Sequence, residues 1–440
     1  MEKSFFDDYK NVHFIGIGGI GISAIARMML SEDKKVTGSD SSESGAIEEL
    51  KKEGAKISLG HDSKNIPHNT NLVIYTIAIT EENPELKEAK KRGIKCITYP
   101  EALNKISSHK YTIAVSGTHG KTTTTAMIAK IAMDNRLDPT VIVGSLLKET
   151  KTNFISGKSK YFIVEACEYR RSFLNLEPKI LVITNIDNDH LDYYKDLKDI
   201  ESAFNEMARK VPEKGYIVCD KSALAKTSVL KDVKAKVVDY MDFFNEKMKL
   251  NSPGRHNKLD GAVALAVAHI LEIDKHKAEK SLSEFSGTWR RFEFKGETKD
   301  GTKVYDDYGH HPTEIKATLK GAREMFKKEK IIVVFQPHLF SRTKILLDDF
   351  AKAFDDADEV LLVPIFPARE AFDPTISSDI LAEKILSCHS HVGGNPVVHS
   401  FQNFTDAENY LKKTLKGREV LITMGAGEAY KIGEKTLEEA

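Results

Sequence analysis

The chain carries two glycine-rich loops, and each stands between an apolar strand pattern and a helical pattern. The first reads "HFIGIGGIGISAIA" over residues 13–26, and the second reads "AVSGTHGKTTTT" over residues 114–125. A strand, a glycine loop and a helix in this order form the building block of a parallel sheet covered by helices. Two such blocks predict an α/β protein with mainly parallel sheets in more than one domain.

The length and the order of the patterns indicate three domains. A chain of 440 residues is long enough to form several separate cores. Three segments each begin with a new strand, and the polar stretch "NKISSHK" at residues 104–110 separates the first from the second. We predict a first domain over residues 1–107, a central domain over 108–288 and a third over 289–440.

The composition excludes several classes of protein. Basic and acidic residues number 65 each, so no broad field of one sign favours nucleic acid or an anionic membrane. No apolar run is long enough to cross a bilayer, and the N-terminal "MEKSFFDDYKN" lacks the apolar core of a signal peptide. The four cysteines are scattered, as in a reducing compartment, and "CHSH" at 388–391 is interpreted as a turn rather than a metal site. We predict a cytoplasmic protein that binds neither nucleic acid nor membrane.

The first loop has the spacing of a pyrophosphate-binding turn. Gly16, Gly18 and Gly21 are in G-x-G-x-x-G register, and Asp40 ends the next strand at a suitable distance for a ribose hydroxyl. Glycines let the backbone approach the ligand, and the helix N-terminus attracts its charge. The pattern alone favours NAD or FAD, while a nucleotide-sugar or a turn without ligand remains open.

The second loop is a shortened phosphate-binding loop. Gly120, Lys121 and Thr122 supply the end of the G-x-x-x-x-G-K-[ST] pattern, but Val115 stands where its first glycine belongs, and Gly117 comes later. The backbone amides can wrap a triphosphate, Lys121 can reach its β- and γ-phosphates, and the Thr122 hydroxyl can bind Mg²⁺. The alternative is a threonine-rich helix cap.

Two further polar positions suggest magnesium ligands. Glu165 ends the apolar strand in "FIVEACE", and His190 follows another strand in "TNIDNDHLDYY", near Asp187, Asp189 and Asp192. A histidine ligand is unusual for Mg²⁺, which prefers oxygen, and a capped helix start is the alternative for this acidic turn. One reaction that uses both glycine loops is ATP-driven ligation onto a nucleotide-linked substrate.

Seven motifs in order resemble the Mur ligases of peptidoglycan synthesis, over essentially the whole chain. They are "HFIGIGGIGISAIA", "SGTHGKTTTT", "TNIDNDHLDYY", "GRHNKLDGAVALA", "WRRFE", "DDYGHHPTEI" and "FQPHLFSRT". The short loop G-T-H-G-K-T-T is typical of that family. The resemblance implies a Rossmann-like first domain that binds a UDP-sugar instead of NAD, a central ATPase domain, and a Rossmann-like third domain that brings an amino acid.

The resemblance also implies a reaction and its participants. It implies ATP- and Mg²⁺-dependent joining of L-alanine to UDP-N-acetylmuramate through an acyl phosphate, by a monomer or weak homodimer. An alternative inside the family is a recycling ligase that adds a tripeptide to the same UDP-sugar, although the Tyr308-Gly309 pair favours alanine. Alternatives of other classes are an NAD-dependent oxidoreductase and a non-catalytic nucleotide-binding regulator.

The matching positions assign roles by resemblance. The UDP-sugar is assigned to Gly16, Gly18, Gly19, Ile20 and Asp40. ATP is assigned to Gly117, Thr118, His119, Gly120, Lys121, Thr122, Thr123, Asn257 and Arg290. The amino acid is assigned to Tyr308, His310 and Arg342, and the metal to Thr122, Glu165 and His190. Catalysis is assigned to Lys121, Glu165, His190, Asp307 and His310.

Some assignments keep alternatives. Asn257 could instead cap a helix that begins near Leu259, and Arg290 with Arg291 could form a surface pair with Glu293. The base that deprotonates the incoming amine is open among Asp307, His310 and His311.

The chain departs from its relatives at two positions. Leu339 stands where many carry a second arginine, so Arg342 would hold the amino-acid carboxylate with less help. Cys167 stands where many carry aspartate, and we interpret it as a packed neighbour without a chemical role.

Overall fold

The computed structural model describes residues 5–191, 193–368, 370–389 and 396–438. These residues form three sheets, each built mainly from parallel strands with helices between them. The predicted α/β class with mainly parallel sheets is confirmed. No helix in the described ranges combines the length and the apolar character that a bilayer span requires.

The first sheet has five parallel strands in the order β3-β2-β1-β4-β5. Its strands are β1 (Asn11–Ile15), β2 (Lys35–Asp40), β3 (Lys56–Leu59), β4 (Leu72–Tyr75) and β5 (Lys95–Thr98). Its helices are α1 (Ile20–Ser31), α2 (Gly45–Lys52), α3 (Pro84–Lys91) and α4 (Tyr99–Ser107). Side chains start the last three helices: Ser44 caps α2, Asn83 caps α3, and Thr98 forms a capping box with Glu101 on α4.

The second sheet has seven strands in the order β12-β11-β10-β6-β9-β7-β8; β7 and β8 pair antiparallel, and the other neighbouring strands pair parallel. Its strands are β6 (Tyr111–Ser116), β7 (Thr140–Ile142), β8 (Phe154–Ile155), β9 (Tyr161–Glu165), β10 (Ile180–Ile183), β11 (Tyr216–Cys219) and β12 (Lys236–Asp239). Its helices are α5 (Lys121–Asp134), α6 (Leu197–Arg209), α7 (Lys221–Leu224), α8 (Arg255–Ile270) and α9 (Lys275–Ser283). The central strands β6, β9 and β10 are buried apolar runs, as strands covered on both faces must be.

The third sheet has six strands in the order β13-β14-β18-β15-β16-β17, with β13 antiparallel at its edge. Its strands are β13 (Glu293–Glu297), β14 (Lys303–Asp307), β15 (Ile331–Phe335), β16 (Glu359–Leu362), β17 (Val397–Ser400) and β18 (Val420–Met424). Its helices are α10 (Pro312–Met325), α11 (Phe340–Ile345), α12 (Leu347–Ala351), α13 (Ser378–His389), α14 (Phe404–Thr414) and α15 (Tyr430–Glu438).

The chain divides into two compact units. The first runs up to Asn245 and includes Leu259–Ser286, and the second consists of Glu246–Lys258 and the chain from Gly287 onward. One apolar core joins the first two sheets, so the predicted boundary at residue 107 falls inside the first unit. Residues 246–258, predicted to belong to the central domain, group with the third sheet. The exact boundaries between the three domains stay a prediction.

Candidate active site

The second glycine loop adopts a conformation that needs its two glycines. Gly117 (φ +129°) and Gly120 (φ +81°) both have backbone angles that disfavour other residues. A Cβ on Gly117 would lie 2.0 Å from the Thr184 hydroxyl, and one on Gly120 would lie 2.5 Å from an Asp260 carboxylate oxygen. The loop therefore turns tightly between β6 and the N-terminus of α5, where the positive end of the helix dipole favours phosphate.

Substitution of Gly117 should separate these two constraints. We expect Gly117→Ala to lower ATP affinity at least about tenfold, because backbone strain and collision with Thr184 must move the loop. Gly93→Ala is the matched control, since Gly93 also has positive φ (+68°) but open space around its Cβ. The control should cost about 1 kcal/mol of stability and leave ATP binding unchanged. Equal ATP affinity of both variants would contradict the expectation; calorimetry and thermal unfolding measure the two effects.

The end of β10 and the turn after it hold the loop from the other side. Thr184 Oγ1 donates a hydrogen bond to the His119 carbonyl at 2.6 Å, and the Asn185 carbonyl accepts one from Thr118 N at 3.0 Å. His119 Nε2 lies 3.0 Å from an Asp187 carboxylate oxygen. The segment "TNID" thus shapes the loop, so Asp187 serves loop geometry in addition to any helix cap.

Lys121 contacts the loop and the carboxylate of Glu168, a residue to which the sequence analysis assigns no role. Its Nζ donates to the carbonyls of Gly117 (2.6 Å) and Thr118 (3.0 Å) and forms an ion pair with Glu168 at 3.0 Å. Burial alone would lower the pKa of Lys121, but the charge of Glu168 and neighbouring acidic groups outweighs it and raises that pKa. Lys121 therefore stays cationic in the loop. Glu168 lies only three residues beyond Glu165, and that spacing past a strand end is the signal that was missed.

Two of the predicted metal ligands, Glu165 and His190, have different partners. Glu165 Oε2 accepts a hydrogen bond from Gly144 N at 2.8 Å, whereas the carboxylates near His190 Nε2 are those of Glu168, at 3.8 Å, and Asp189, at 3.9 Å. His190 itself has a left-handed backbone conformation (φ +54°). The metal roles of Glu165 and His190 stay predictions.

The donor set beside the loop fits a hard cation. Ser116 Oγ and Glu168 Oε2 are buried and lack a hydrogen bond within the described chain, although Glu168 Oε2 forms its ion pair with Lys121. The Thr122 hydroxyl and the Glu165 carboxylate add further oxygen atoms, which Mg²⁺ prefers over nitrogen. Oxygen ligands are thus available for Mg²⁺ on β6, on α5 and beyond β9.

The first glycine loop is organised around Asp40. A Cβ on Gly16 would lie 2.2 Å from a Thr76 methyl carbon, and Gly18 N donates to Asp40 Oδ2 at 2.8 Å. Gly19 immediately precedes α1, and its carbonyl accepts the first helical hydrogen bond from Ser23. The predicted UDP-sugar residues are therefore neighbours, but Asp40 already binds the loop's own backbone. Its contact with a ribose stays a prediction.

In the second unit, the predicted amino-acid residues form one cluster with His338. Arg342 Nη1 donates to His338 Nδ1 at 2.8 Å, and the His338 ring lies 5.3 Å from the His310 ring. Tyr308 packs edge-on against His310 at 5.4 Å. His338 lies three residues beyond the end of β15, within the motif "FQPHLFSRT", although the sequence analysis gives it no role.

Hydrogen bonds distinguish the roles of the two neighbouring histidines, His310 and His311. His310 Nδ1 lies 3.0 Å from the Tyr308 carbonyl, which can only accept, so the proton is on Nδ1 and the basic nitrogen of neutral His310 is Nε2. His311 instead caps α10, because its side chain accepts from Thr313 N at 3.3 Å. As a base, neutral His310 offers Nε2, whereas the side chain of His311 is engaged in capping the helix.

Asp307 is a buried carboxylate held by backbone amides. Its two oxygens accept hydrogen bonds from Phe292 N and Gly309 N, both at 2.7 Å. Burial raises the pKa of Asp307 to about 6. The carboxylate fixes the turn that presents Tyr308 and His310, and its role as a base stays a prediction.

Stability should report this raised pKa. A carboxyl whose pKa is higher in the folded than in the unfolded chain favours folding when protonated, and that contribution is lost as pH rises through about 6. Between pH 4.5 and 7 we expect Asp307 to remove about 2 kcal/mol of unfolding free energy, and Asp307→Asn to lack that share of the decline. Urea unfolding followed by the single tryptophan, Trp289, measures it; identical slopes in both proteins would contradict the expectation.

Two ATP assignments meet unexpected surroundings. Asn257 is the third residue of α8, so the alternative that it caps this helix is wrong; its amide donates to the Pro253 carbonyl at 2.6 Å. Arg290 is 3% exposed, and its guanidinium binds Asp306 at 2.6 Å and two backbone carbonyls of the 425–427 turn. The surface-pair alternative is therefore wrong for Arg290. Contact between Arg290 and an ATP phosphate stays a prediction. It would require the guanidinium to give up hydrogen bonds to Asp306 or to the 425–427 turn.

The two positions at which the chain departs from the family pattern, Leu339 and Cys167, differ in their exposure to solvent. Leu339 is buried and has a left-handed backbone (φ +69°) immediately before α11. Cys167 is exposed between Glu165 and Glu168, which differs from the predicted packed neighbour. Asp192 lies outside the described residues, as do Ser390 and His391 of the "CHSH" stretch, while Cys388 and His389 end α13 where a turn was predicted.

Comparisons with known proteins bear on the whole chain. Family models match residues 11–111 (Mur ligase family, catalytic domain), 115–262 (Mur ligase middle domain) and 290–427 (Mur ligase, glutamate ligase domain). A UDP-N-acetylmuramate–L-alanine ligase of Clostridium acetobutylicum is 43% identical and covers 98% of both chains. The crystal structure of a UDP-N-acetylmuramate-alanine ligase from Thermotoga maritima matches with a TM-score of 0.80 at 27% identity, over 98% of each chain. A murein peptide ligase from Psychrobacter arcticus shares the fold, with a TM-score of 0.69 at 22% identity over 98% of each chain.

Proposed function

Because the chain belongs to the Mur ligase family, we propose that it joins L-alanine to the lactyl carboxylate of UDP-N-acetylmuramate with ATP. The observation that carries this proposal is the 43% identity, over 98% of both chains, to a ligase that bears this name. The second glycine loop with Lys121, and the cluster of Tyr308, His310, His338 and Arg342, supply groups for both halves of such a reaction. The use of ATP and of a nucleotide-linked sugar is consistent with a cytoplasmic location of the protein.

The first half activates the carboxylate. A lactyl carboxylate oxygen attacks the γ-phosphorus, the bond to the bridging oxygen breaks, and ADP leaves, giving an acyl phosphate. Both reactants are anions, so neutralisation of their charge is the main task of the site. Lys121 places one fixed positive charge at the phosphates, and the amides of the α5 N-terminus add partial charges that need no reorganisation.

Thr122, Glu165 and His190 are the proposed residues that would hold Mg²⁺, with Glu168 as an additional carboxylate beside them. A bound Mg²⁺ would supply further positive charge and Lewis-acid polarisation of phosphate oxygens. Glu168 also keeps Lys121 charged and aligned through its ion pair at 3.0 Å.

The second half forms the amide with residues of the second unit. Arg342 holds the carboxylate of alanine through a charge-assisted pair. The α-amine must lose a proton before it attacks the acyl carbon, and His310 Nε2 is the proposed acceptor because its Nδ1 is occupied by the Tyr308 carbonyl. The tetrahedral intermediate then collapses, phosphate leaves, and the amide remains.

Phosphate release across a panel of acceptors tests the proposal. The purified chain receives ATP, Mg²⁺ and UDP-N-acetylmuramate with alanine, serine, glycine or the L-alanyl tripeptide, and controls omit one component. We expect release that depends on all components and is fastest with alanine. Fastest release with tripeptide would indicate the recycling ligase, and no release together with NAD binding would indicate an oxidoreductase.

A further inference from the structure

Asn153, just before β8 in the second sheet, is a fully buried amide that binds the first helix of the first sheet. Its Oδ1 accepts a hydrogen bond from Arg27 Nη1 at 2.5 Å, and its Nδ2 donates to the Ile20 carbonyl and to Ser23 Oγ, the latter at 3.1 Å. A guanidinium can only donate and a carbonyl can only accept, so a single orientation of the amide satisfies these partners. Asn153 is thus specified by chemistry as well as by size.

These three partners of Asn153 all belong to α1, the helix that directly follows the first glycine loop, which is the proposed UDP-sugar loop. Ile20 is the first residue of that helix, and its N-cap, Gly19, offers no side chain to fix the helix start. Arg27 is itself buried and also pairs with Glu53 at 2.9 Å. A residue of the central sheet therefore anchors the end of α1 that carries the glycine loop.

The backbone of Asn153 continues this connection toward the phosphate loop. Its carbonyl accepts from Val143 N at 3.1 Å, and the next amide, Gly144 N, donates to Glu165 Oε2 at 2.8 Å. A Cβ on Gly144 would lie 2.5 Å from Glu165, so the contact is as close as a backbone can make it. A short path of hydrogen bonds thus runs from the Ile20 carbonyl to the carboxylate of Glu165.

We propose that Asn153 is a positioning residue that sets the UDP-sugar loop at a fixed distance from the phosphate loop for phosphorylation of the lactyl carboxylate. This inference rests on the proposed function. The reacting oxygen and phosphorus belong to ligands on two different sheets of the first unit, so the geometry of attack depends on how those sheets are joined. A misplacement of 1 Å can cost about 10²-fold in rate.

Two variants test the role in the full-length protein. Asn153→Asp keeps the size and the pair with Arg27, but sets an oxygen against the Ile20 carbonyl, and Asn153→Ala removes all three bonds. We expect each to slow acyl-phosphate formation about 10²-fold. The measurement is single-turnover ADP formation without alanine, with hydroxylamine trapping the acyl phosphate as the hydroxamate. Dissociation constants for ATP and for UDP-N-acetylmuramate should each stay within about threefold, because the loops themselves are unchanged.

Asn104→Ala is the matched control. Asn104 on α4 also joins the first two sheets through an amide, which donates to the Asn175 carbonyl at 2.7 Å, but it adjoins neither glycine loop. We expect this variant to keep the wild-type rate of acyl-phosphate formation even where its thermal midpoint falls.

The outcomes distinguish the possibilities. A wild-type rate in Asn153→Asp, or an equal loss in Asn104→Ala, would overturn the positioning role, as would a loss explained by weaker ligand binding. Failure of the wild-type protein to form hydroxamate would instead refute the proposed function itself.

Discussion

Lys121→Ala is expected to lower alanine-dependent phosphate release by about 10³-fold while UDP-N-acetylmuramate still binds with nearly wild-type affinity. In the proposed reaction, the Lys121 ammonium group is the fixed positive charge of the second glycine loop, and the transition state brings two anions together beside it. The sugar nucleotide is assigned to the other glycine loop, so its binding should not depend on this charge. Steady-state phosphate release and calorimetric titration of the sugar nucleotide measure the two quantities.

Removal of Lys121 also has a structural consequence that must be separated from catalysis. Glu168 is 2% exposed, and loss of its partner leaves a buried carboxylate unpaired, which costs about 3–5 kcal/mol. The double variant Lys121→Met with Glu168→Gln removes both charges and should recover much of that stability. It should remain inactive, because the positive charge proposed for catalysis is still missing.

Lys130→Ala provides the control on the same helix. Lys130 lies on α5 and pairs with Asp134 at 3.0 Å, away from the glycine loop. Its removal should leave turnover unchanged. Turnover of Lys121→Ala within tenfold of wild type would show that the loop lysine does not stabilise the transferring phosphoryl group.

Arg342→Ala is expected to raise the KM for alanine about 10²-fold and to change the KM for ATP little. Truncating one member of a buried charge pair costs about 2–5 kcal/mol, and a carboxylate left without its guanidinium is such a case. Arg342 is 9% exposed and donates to His338 at 2.8 Å, so it is held in place before alanine arrives. Leu339 cannot substitute for it, because its buried side chain carries no charge. Initial rates with each substrate varied in turn measure the split.

Two further variants sharpen that test. Arg342→Lys keeps the charge but loses the planar pair of donors, so we expect an intermediate KM for alanine. Lys344→Ala removes an exposed cation from the same helix, α11, and should leave the KM for alanine unchanged. An equal rise in the KM for all three substrates in Arg342→Ala would point to a folding defect rather than loss of carboxylate binding.

Much of the site could be predicted from the sequence because its parts are local. Each glycine loop is continuous in the chain, and the strand before it and the helix after it follow from apolar periodicity. Gly117, Gly120 and Lys121 stand where the loop needs left-handed backbone and a charge. The two missed residues, Glu168 and His338, lie inside quoted motifs, but a side chain's partner across the sheet cannot be read from its neighbours in sequence.

The sequence by itself determined the α/β class, the two glycine-rich loops and the family, because hydrophobic periodicity and contiguous motifs act over short stretches of chain. Only the tertiary structure decided which groups meet across long separations. It pairs Lys121 with Glu168, buries Arg290 against Asp306, and ties Asn153 to α1 across more than a hundred residues of sequence. These contacts depend on strand order and packing, since burial forces each polar group to find a partner wherever the sheets bring one.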